Sequence, residues 1–454
     1  MMYRFCLIIS FYMLATTGFS QQIVTLQELY DLADQQSNRI AISQMGLKAA
    51  SVAVEEANNA RLPSVEVSLS ESFIGDATLM SRGFSTSGYT KVIVPGLGPQ
   101  QVKNGRQSAP HWGNTFSIKA SQVVYAGGAI KAGIRMAELG EQMAELDIAR
   151  NRQEVRFLIA GLYLDLYKLS NQIAVIDQNI ALSNKIIANM QSRYEQGTAL
   201  RNDVTRYEVQ VQNMELSKIK LCEAKNIINH QLTTMLHQPS GIIFEPDSLA
   251  LAAEYQALKV VAPQQHWIEA AANNYIGLKQ ASVATEIAEQ KIRLTKAESL
   301  PKIAVVAENN FVGPFTNDLI PVNANVNTWF IGIGLQYNLG SLWKNKSHVN
   351  HARIEADISR RQELLVRENL ETSVHTCYSK ILTSVTEVTT QEKQVELAAQ
   401  NYKVVKNRYQ NGLALLTDML DATNLLLAAE MTLVNARVEL IYNYFTLRYQ
   451  TNTL

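Results

Sequence analysis

Three aspartates stand where carboxylates could do electrostatic work. Asp203 ends the string RYEQGTALRND (Arg193–Asp203), and Asp418 ends its near-copy RYQNGLALLTD (Arg408–Asp418). Asp421 follows three residues after Asp418, a spacing that puts two side chains on one face of a helix. Carboxylates gathered in that way attract cations and raise one another's pKa values. The same residues also read as helix starters. Each follows a glycine-centred turn, where the pattern predicts the first turn of a helix. There Asp accepts from orphan N–H groups and complements the helix dipole, at about 1 kcal/mol apiece.

Other chemistry finds little support. His348 and His351 have i, i+3 spacing but no third metal ligand, and they read as a solvated helix face. PGLGP (Pro95–Pro99) lacks the strand–helix setting of a phosphate cradle and reads as a loop. No nucleophile–base arrangement is legible, so the sequence predicts neither an enzyme nor a cofactor or metal site. With 41 basic and 41 acidic residues the net charge is zero, and no basic stripe suggests nucleic acid.

The elements that must position the aspartates occur twice. The two quoted strings match at Arg, Tyr, Gly, Ala, Leu and Asp, at an offset of 215 (Arg193 to Arg408). ARLPSVEVSLS (Ala60–Ser70) resembles ESLPKIAVVAE (Glu298–Glu308), and QVVYAGG (Gln122–Gly128) resembles LQYNLGS (Leu335–Ser341). Each copy therefore reads as helix, Leu-Pro, strand, loop, strand, long helix, glycine turn, helix. Apolar residues at Leu158, Leu162, Leu166, Leu169, Ile173, Ile176 and Ile180 alternate steps of 3 and 4, the seam of a coiled coil. Leu370, Val374, Tyr378, Ile381, Val385 and Val388 repeat it in the second copy. The residues from Tyr125 to Arg193 contain no proline and predict roughly 100 Å of helix. Gly197 and Gly412 then let the backbone turn sharply between antiparallel helices.

The opening MMYRFCLIISFYMLATTGFS reads as a signal peptide cleaved near residue 20, taking Cys6 with it. Cys222 and Cys377 remain, too few for a disulfide scaffold, with a single bridge between them left open. No later run of 18 apolar residues predicts a membrane helix. Membrane contact would instead fall to four strands of about ten residues. PSVEVSLSESF sets Val65, Val67 and Leu69 against Glu66, Ser68 and Ser70, and TFSIKASQVVY sets Phe116, Ile118 and Ala120 against Ser117, Lys119 and Ser121. PKIAVVAENNF is the weakest, and TWFIGIGLQY puts Trp329, Ile331, Ile333, Leu335 and Tyr337 on one face. Length, alternation and bounding aromatics fit strands crossing an outer membrane. A soluble four-stranded sheet is the competing reading. Four strands in lipid cannot close, so copies must join them, two chains giving 8 strands and three giving 12.

Taken together, these features resemble the TolC-like outer membrane efflux protein family. The resemblance covers essentially the whole chain after residue 20. Its most specific part is the R-Y-x-x-G tip followed by D-x-L-D-A-x-x-x-L, carried by Asp418, Leu420, Asp421, Ala422 and Leu426. It implies a mainly α protein with a membrane β part. Duplicated antiparallel helical hairpins would form a tunnel, and four strands per chain would complete a 12-stranded barrel in a homotrimer. It also implies a passive conduit for drugs, metals, metabolites or polypeptides. A periplasmic adaptor and an inner-membrane pump (RND or ABC type) would serve it.

In that picture Arg193, Tyr194, Gly197, Arg408, Tyr409 and Gly412 meet the adaptor, while Asp418, Asp421 and Asp203 form the periplasmic gate. Family members often carry a basic residue after the second glycine, but here Leu413, Ala414, Leu415 and Leu416 are apolar. Arg201 and Arg206 of the first copy are then the candidates for locking the closed tip. The alternative from another class is a non-conducting periplasmic coiled-coil scaffold or adaptor.

The predicted plan has a signal peptide (1–20), first-copy helices (21–62), and strands at 63–125 around a loop at 74–113. A hairpin at 126–238, with its tip at 193–203, leads to an inter-repeat segment (239–262). Helices (263–300) and strands at 301–337 around a loop at 312–327 then precede a second hairpin and tail (338–454, tip 408–418).

Overall fold

A computed structural model describes residues 20–80, 88–94, 98–107, 110–239, 241–258, 262–317, 320–322 and 324–454. The predicted signal peptide, Ser20 excepted, lies outside these residues, as do positions 95–97 of the PGLGP string.

The first copy begins with β1 (Ser20–Val24), α1 (Leu26–Gln36), α2 (Asn38–Asn59) and β2 (Ser64–Phe73). Four short strands follow: β3 (Ala77–Leu79), β4 (Tyr89–Val94), β5 (Gly98–Lys103) and β6 (Gly105–Gln107). Then come β7 (Trp112–Tyr125), α3 (Ala129–Glu195) and α4 (Arg201–Met235). The second copy starts with β8 (Ile242–Pro246), α5 (Ser248–Ala257), α6 (Gln264–Asn274) and α7 (Ile276–Ala297). It continues with β9 (Lys302–Gly313), β10 (Phe315–Asn317), β11 (Ile320–Val322), β12 (Val326–Gln336), α8 (Ser341–Gln410) and α9 (Leu416–Gln450). The stretch predicted as one loop at 74–113 thus carries the strand pairs β3–β6 and β4–β5. YTKVIV (Tyr89–Val94), rich in β-branched residues and followed by Pro-Gly, has the composition of a hairpin strand.

The chain forms two compact units. One comprises the residues up to Ala49, Gln142–Ala284 and Arg360–Leu454. Its core joins the long helices to the first elements of both copies, around fully buried Leu29, Tyr163, Leu232, Phe244, Val374 and Ile441. β1 pairs in parallel with β8, Gln22 opposite Phe244. Tyr163 fastens this pair to α3: its hydroxyl donates to the Val24 carbonyl and accepts from the Asp247 N–H, each at 2.9 Å. The seam residues Leu166, Leu169, Ile176, Leu370, Val374, Ile381 and Val388 are buried. Leu158, predicted in the same seam, is 48 % exposed. There the buried residues of α3 run Val155, Ile159, Tyr163, because this stretch packs under the β1–β8 pair and α1 instead of along a helix seam. Cys222 and Cys377 are both free thiols.

The other unit comprises Ala50–Glu141 and Thr285–Ser359 and holds an antiparallel sheet of order β12–β9–β7–β2. Its register sorts the side chains onto two faces. Val67, Ile118, Asn309 and Trp329 align across the four strands, and Val65, Ala120, Ala307 and Ile331 form the next row. One face is thus almost wholly apolar. The opposite face carries Ser68–Ser117 and Ser64–Ser121 hydroxyl pairs at 2.7 Å and the aligned row Glu66, Lys119, Glu308. The apolar face is bare on this chain: Leu69 is 75 % exposed, Trp329 72 % and Ile333 78 %. Among the described residues β2 and β12 are both edges without a partner strand. No described helix is long and apolar enough to cross a membrane.

His348 and His351 lie in this unit on exposed helix surface. His351 sits 3.7 Å from Glu355, which pairs with Lys291 at 2.8 Å.

Candidate functional site

Both R-Y-x-x-G strings end their helix by the same device. Gly197 and Gly412 adopt φ of 70° and 71°. Among the described residues, no atom beyond the adjacent residues lies within 4 Å of where a Cβ would sit, so the left-handed backbone, not crowding, calls for glycine. In the first tip the Gly197 N–H donates to the Tyr194 carbonyl (2.9 Å) and the Thr198 N–H to the Arg193 carbonyl (2.8 Å). In the second, Gly412 donates to Tyr409 (3.0 Å) and Leu413 to Arg408 (2.8 Å). This paired closure satisfies the last carbonyls of a helix and fixes the glycine three residues after the tyrosine.

Below the turns, α3, α4, α8 and α9 come together as one group of four. Ile186, Met190, Val204, Tyr207, Tyr402, Leu416 and Met419 form its core. Tyr207 has no exposed surface, and burial pushes its phenol up to about 12. Thr423 lies beside it, but the Thr423 hydroxyl donates to the Met419 carbonyl at 2.8 Å. Among the described residues the Tyr207 hydroxyl has no hydrogen bond of good geometry.

The aspartates diverge within this frame. Asp203 and Asp418 are each the third residue of their helix. Asp418 is exposed, and its Oδ2 accepts from the Leu415 N–H at 3.0 Å, so it caps α9. Asp203 is half-buried and faces the other hairpin. Burial raises the Tyr409 phenol, Asp203 raises it further, and Arg193 opposes both. The Arg193 guanidinium lies 5.8 Å from the centre of the Tyr409 ring. Asp421 is exposed and lies in the second turn of α9, later than the sequence predicted, because that helix starts at Leu416.

Arg193, Asp203, Arg206, Tyr409 and Gly412 line one cleft of 410 Å³ between the tips. Tyr194, Arg201, Arg408, Asp418 and Asp421 are not part of its lining. Among the described residues neither Arg201 nor Arg206 forms an ion pair. Leu200, Leu413 and Leu415 are exposed at 70 %, 68 % and 70 %, which gives the tips an apolar crest. Nothing in the sequence singles out Tyr207. Its equivalent at the 215-residue offset is Ala422, so the repeat itself hid it.

Over residues 267–452 the chain matches the family model described as "Outer membrane efflux protein". It is similar to the outer membrane efflux protein BepC of Brucella suis biovar 1, at 20% identity over 366 residues, covering 79% of this chain and 76% of that one. It is also similar to the outer membrane protein TolC of Salmonella enteritidis, at 20% identity over 330 residues, covering 71% and 66%. The fold is shared with the outer membrane protein VceC of Vibrio cholerae, with a TM-score of 0.70 at 16% identity over 94% of this chain and 95% of that one. None of these names describes an enzyme. With the duplicated hairpins, the two glycine tips and these matches together, the chain is similar to outer membrane efflux proteins in sequence and shares their fold.

Proposed function

We propose that three copies of this chain form a passive conduit through the outer membrane. Their twelve strands would close a barrel, and their helical hairpins would continue it into the periplasm as a tunnel. The signal peptide would be removed near residue 20. The observation that carries this reading is the sheet. One face is apolar and bare, the other polar, and both edge strands are long and, among the described residues, unpaired. In lipid each unpaired backbone group costs several kcal/mol, and closing the ring with sibling chains removes that cost. Apolar outside and polar inside is the arrangement of a membrane barrel with a watery lumen.

At the other end, the tips with Arg193, Tyr194, Gly197, Arg408, Tyr409 and Gly412 would meet a periplasmic adaptor, coupled to an RND or ABC pump. Asp418 and Asp421, exposed and three residues apart, would form two rings of three carboxylates at a narrow mouth. Arg206 occupies in α4 the position that Asp421 occupies in α9, at the same 215-residue offset. Arg206, with Arg201 five residues earlier in α4, would reach a neighbouring protomer's carboxylates and hold the closed tip. The cargo class is small molecules or polypeptides, set by the pump.

The experiment is extraction followed by planar-bilayer recording. The mature protein should require detergent, migrate as a trimer and give cation-preferring currents. Asp418→Ala/Asp421→Ala should raise conductance and abolish the preference. A freely soluble monomer would overturn the conduit, and unchanged currents in the double variant would overturn the gate.

A further inference from the structure

Above the tip cleft, α3 and α8 face each other across a second, smaller groove of 180 Å³. One wall carries Lys185, Asn189 and Arg193, spaced by four along one ridge of α3. The other carries Lys406, Tyr409 and Gln410 of α8. The apolar floor includes Met190, which is buried at 1 %, and Met419, also at 1 %.

The lining holds three cations and no carboxylate. Among the described residues none of the three cations forms an ion pair. Two are held in place by aromatic faces instead: Arg193 lies 5.8 Å from the Tyr409 ring centre, and Lys406 lies 5.9 Å from that of Tyr402. Arg193 and Lys406 are half-buried, while Lys185 stands exposed at the mouth. Like charges drawn from two hairpins into one narrow groove repel, and the repulsion grows as water is excluded. The side chains of Asn189, Gln410 and Tyr409 add neutral donors to the charged ones. Converging charged and neutral N–H and O–H donors over an apolar floor suit an oxyanion, which accepts charge-assisted hydrogen bonds.

We propose that this groove is an oxyanion-binding site whose occupant, a phosphate or carboxylate group, ties the first hairpin to the second. Lys185 and Arg193 hold the anion from one hairpin, and Lys406 holds it from the other. The bound anion cancels the repulsion between them and steadies the tips in their packed arrangement.

Calorimetric titration of the full-length protein in detergent tests this, with inorganic phosphate and succinate run separately against chloride at matched ionic strength. Saturable binding at one site per chain is expected, together with slower hydrogen exchange at residues 186–207 and 398–426. Lys406→Gln should weaken binding about tenfold, the loss of one charge-assisted contact, and Lys406→Arg should restore it. Binding of phosphate alone assigns the site to tetrahedral anions, and binding of succinate alone assigns it to carboxylates. Absence of saturable binding by either ion, or Lys406→Gln and Lys185→Gln variants that bind like the parent, overturns the proposal. The titration needs no conduction, so its outcome is independent of whether the chain forms a pore.

Discussion

The two tips are copies in sequence and unlike in what they do. Both end a long helix with the same glycine closure, and both enter the returning helix through a leucine that stands three residues before an aspartate. Yet Asp418 folds back onto its own helix start, while Asp203 faces Tyr409 of the other hairpin. Deeper among the four helices, Tyr207 fills the volume at a position that Ala422 holds in the second copy. Duplication therefore supplied the turns, and divergence at a few positions let one copy fit against the other. A pair of identical tips would place two large side chains, or two small ones, at matching sites.

Erasing the largest difference between the tips has the largest expected effect. Tyr207→Ala makes the two copies alike at that position and should cost about 3–5 kcal/mol, as truncation of a large buried aromatic does. The melting temperature of the solubilised protein reports it. Tyr207→Phe should cost little or stabilise, since the hydroxyl removed has no well-formed partner.

A pH titration probes the same asymmetry. The Tyr207 phenol titrates near 12 in the folded chain against an ordinary 10.0, so the folded state favours the protonated form. Its contribution is complete below pH 10 and is lost as pH rises from 10 to 12, by roughly 2–3 kcal/mol. Melting curves across that window should fall for the parent and fall less for Tyr207→Phe. Parallel curves would mean that the raised Tyr207 phenol does not contribute to stability.

The aspartates give a finer contrast. Asp418→Ala should cost about 1 kcal/mol through the lost cap. Asp203→Asn should have a smaller effect on melting but should lower the Tyr409 pKa, which absorbance of the phenolate detects. Asp418→Asn should leave that pKa in place. Equal shifts from both substitutions would mean that the tips are equivalent after all.

Much of this was legible beforehand, for identifiable reasons. The R-Y-x-x-G strings announce their turns because glycine holds a left-handed backbone with the least strain. The sheet faces are legible because side chains alternate strictly along a strand, and the register places Val67, Ile118 and Trp329 in one row. The β1–β8 pair was hidden: each strand has five residues, and its partner lies in the other copy of the repeat. Leu158 was misplaced because a heptad seam stops describing a helix once it touches more than one neighbour. The split between Asp203 and Asp418 was also invisible, since the residues are equivalent in the repeat and only the opposing hairpin separates them.

Because each chain brings an even number of antiparallel strands, its two sheet rims run in opposite senses. A neighbour can be added at either rim without setting like-directed backbones side by side. Hydrogen-bond parity therefore places no limit on how many subunits a ring may hold, and the bore is left to strand tilt and twist. If copies close a ring, widening it would be a matter of geometry, reachable without rewriting a single cross-strand pairing.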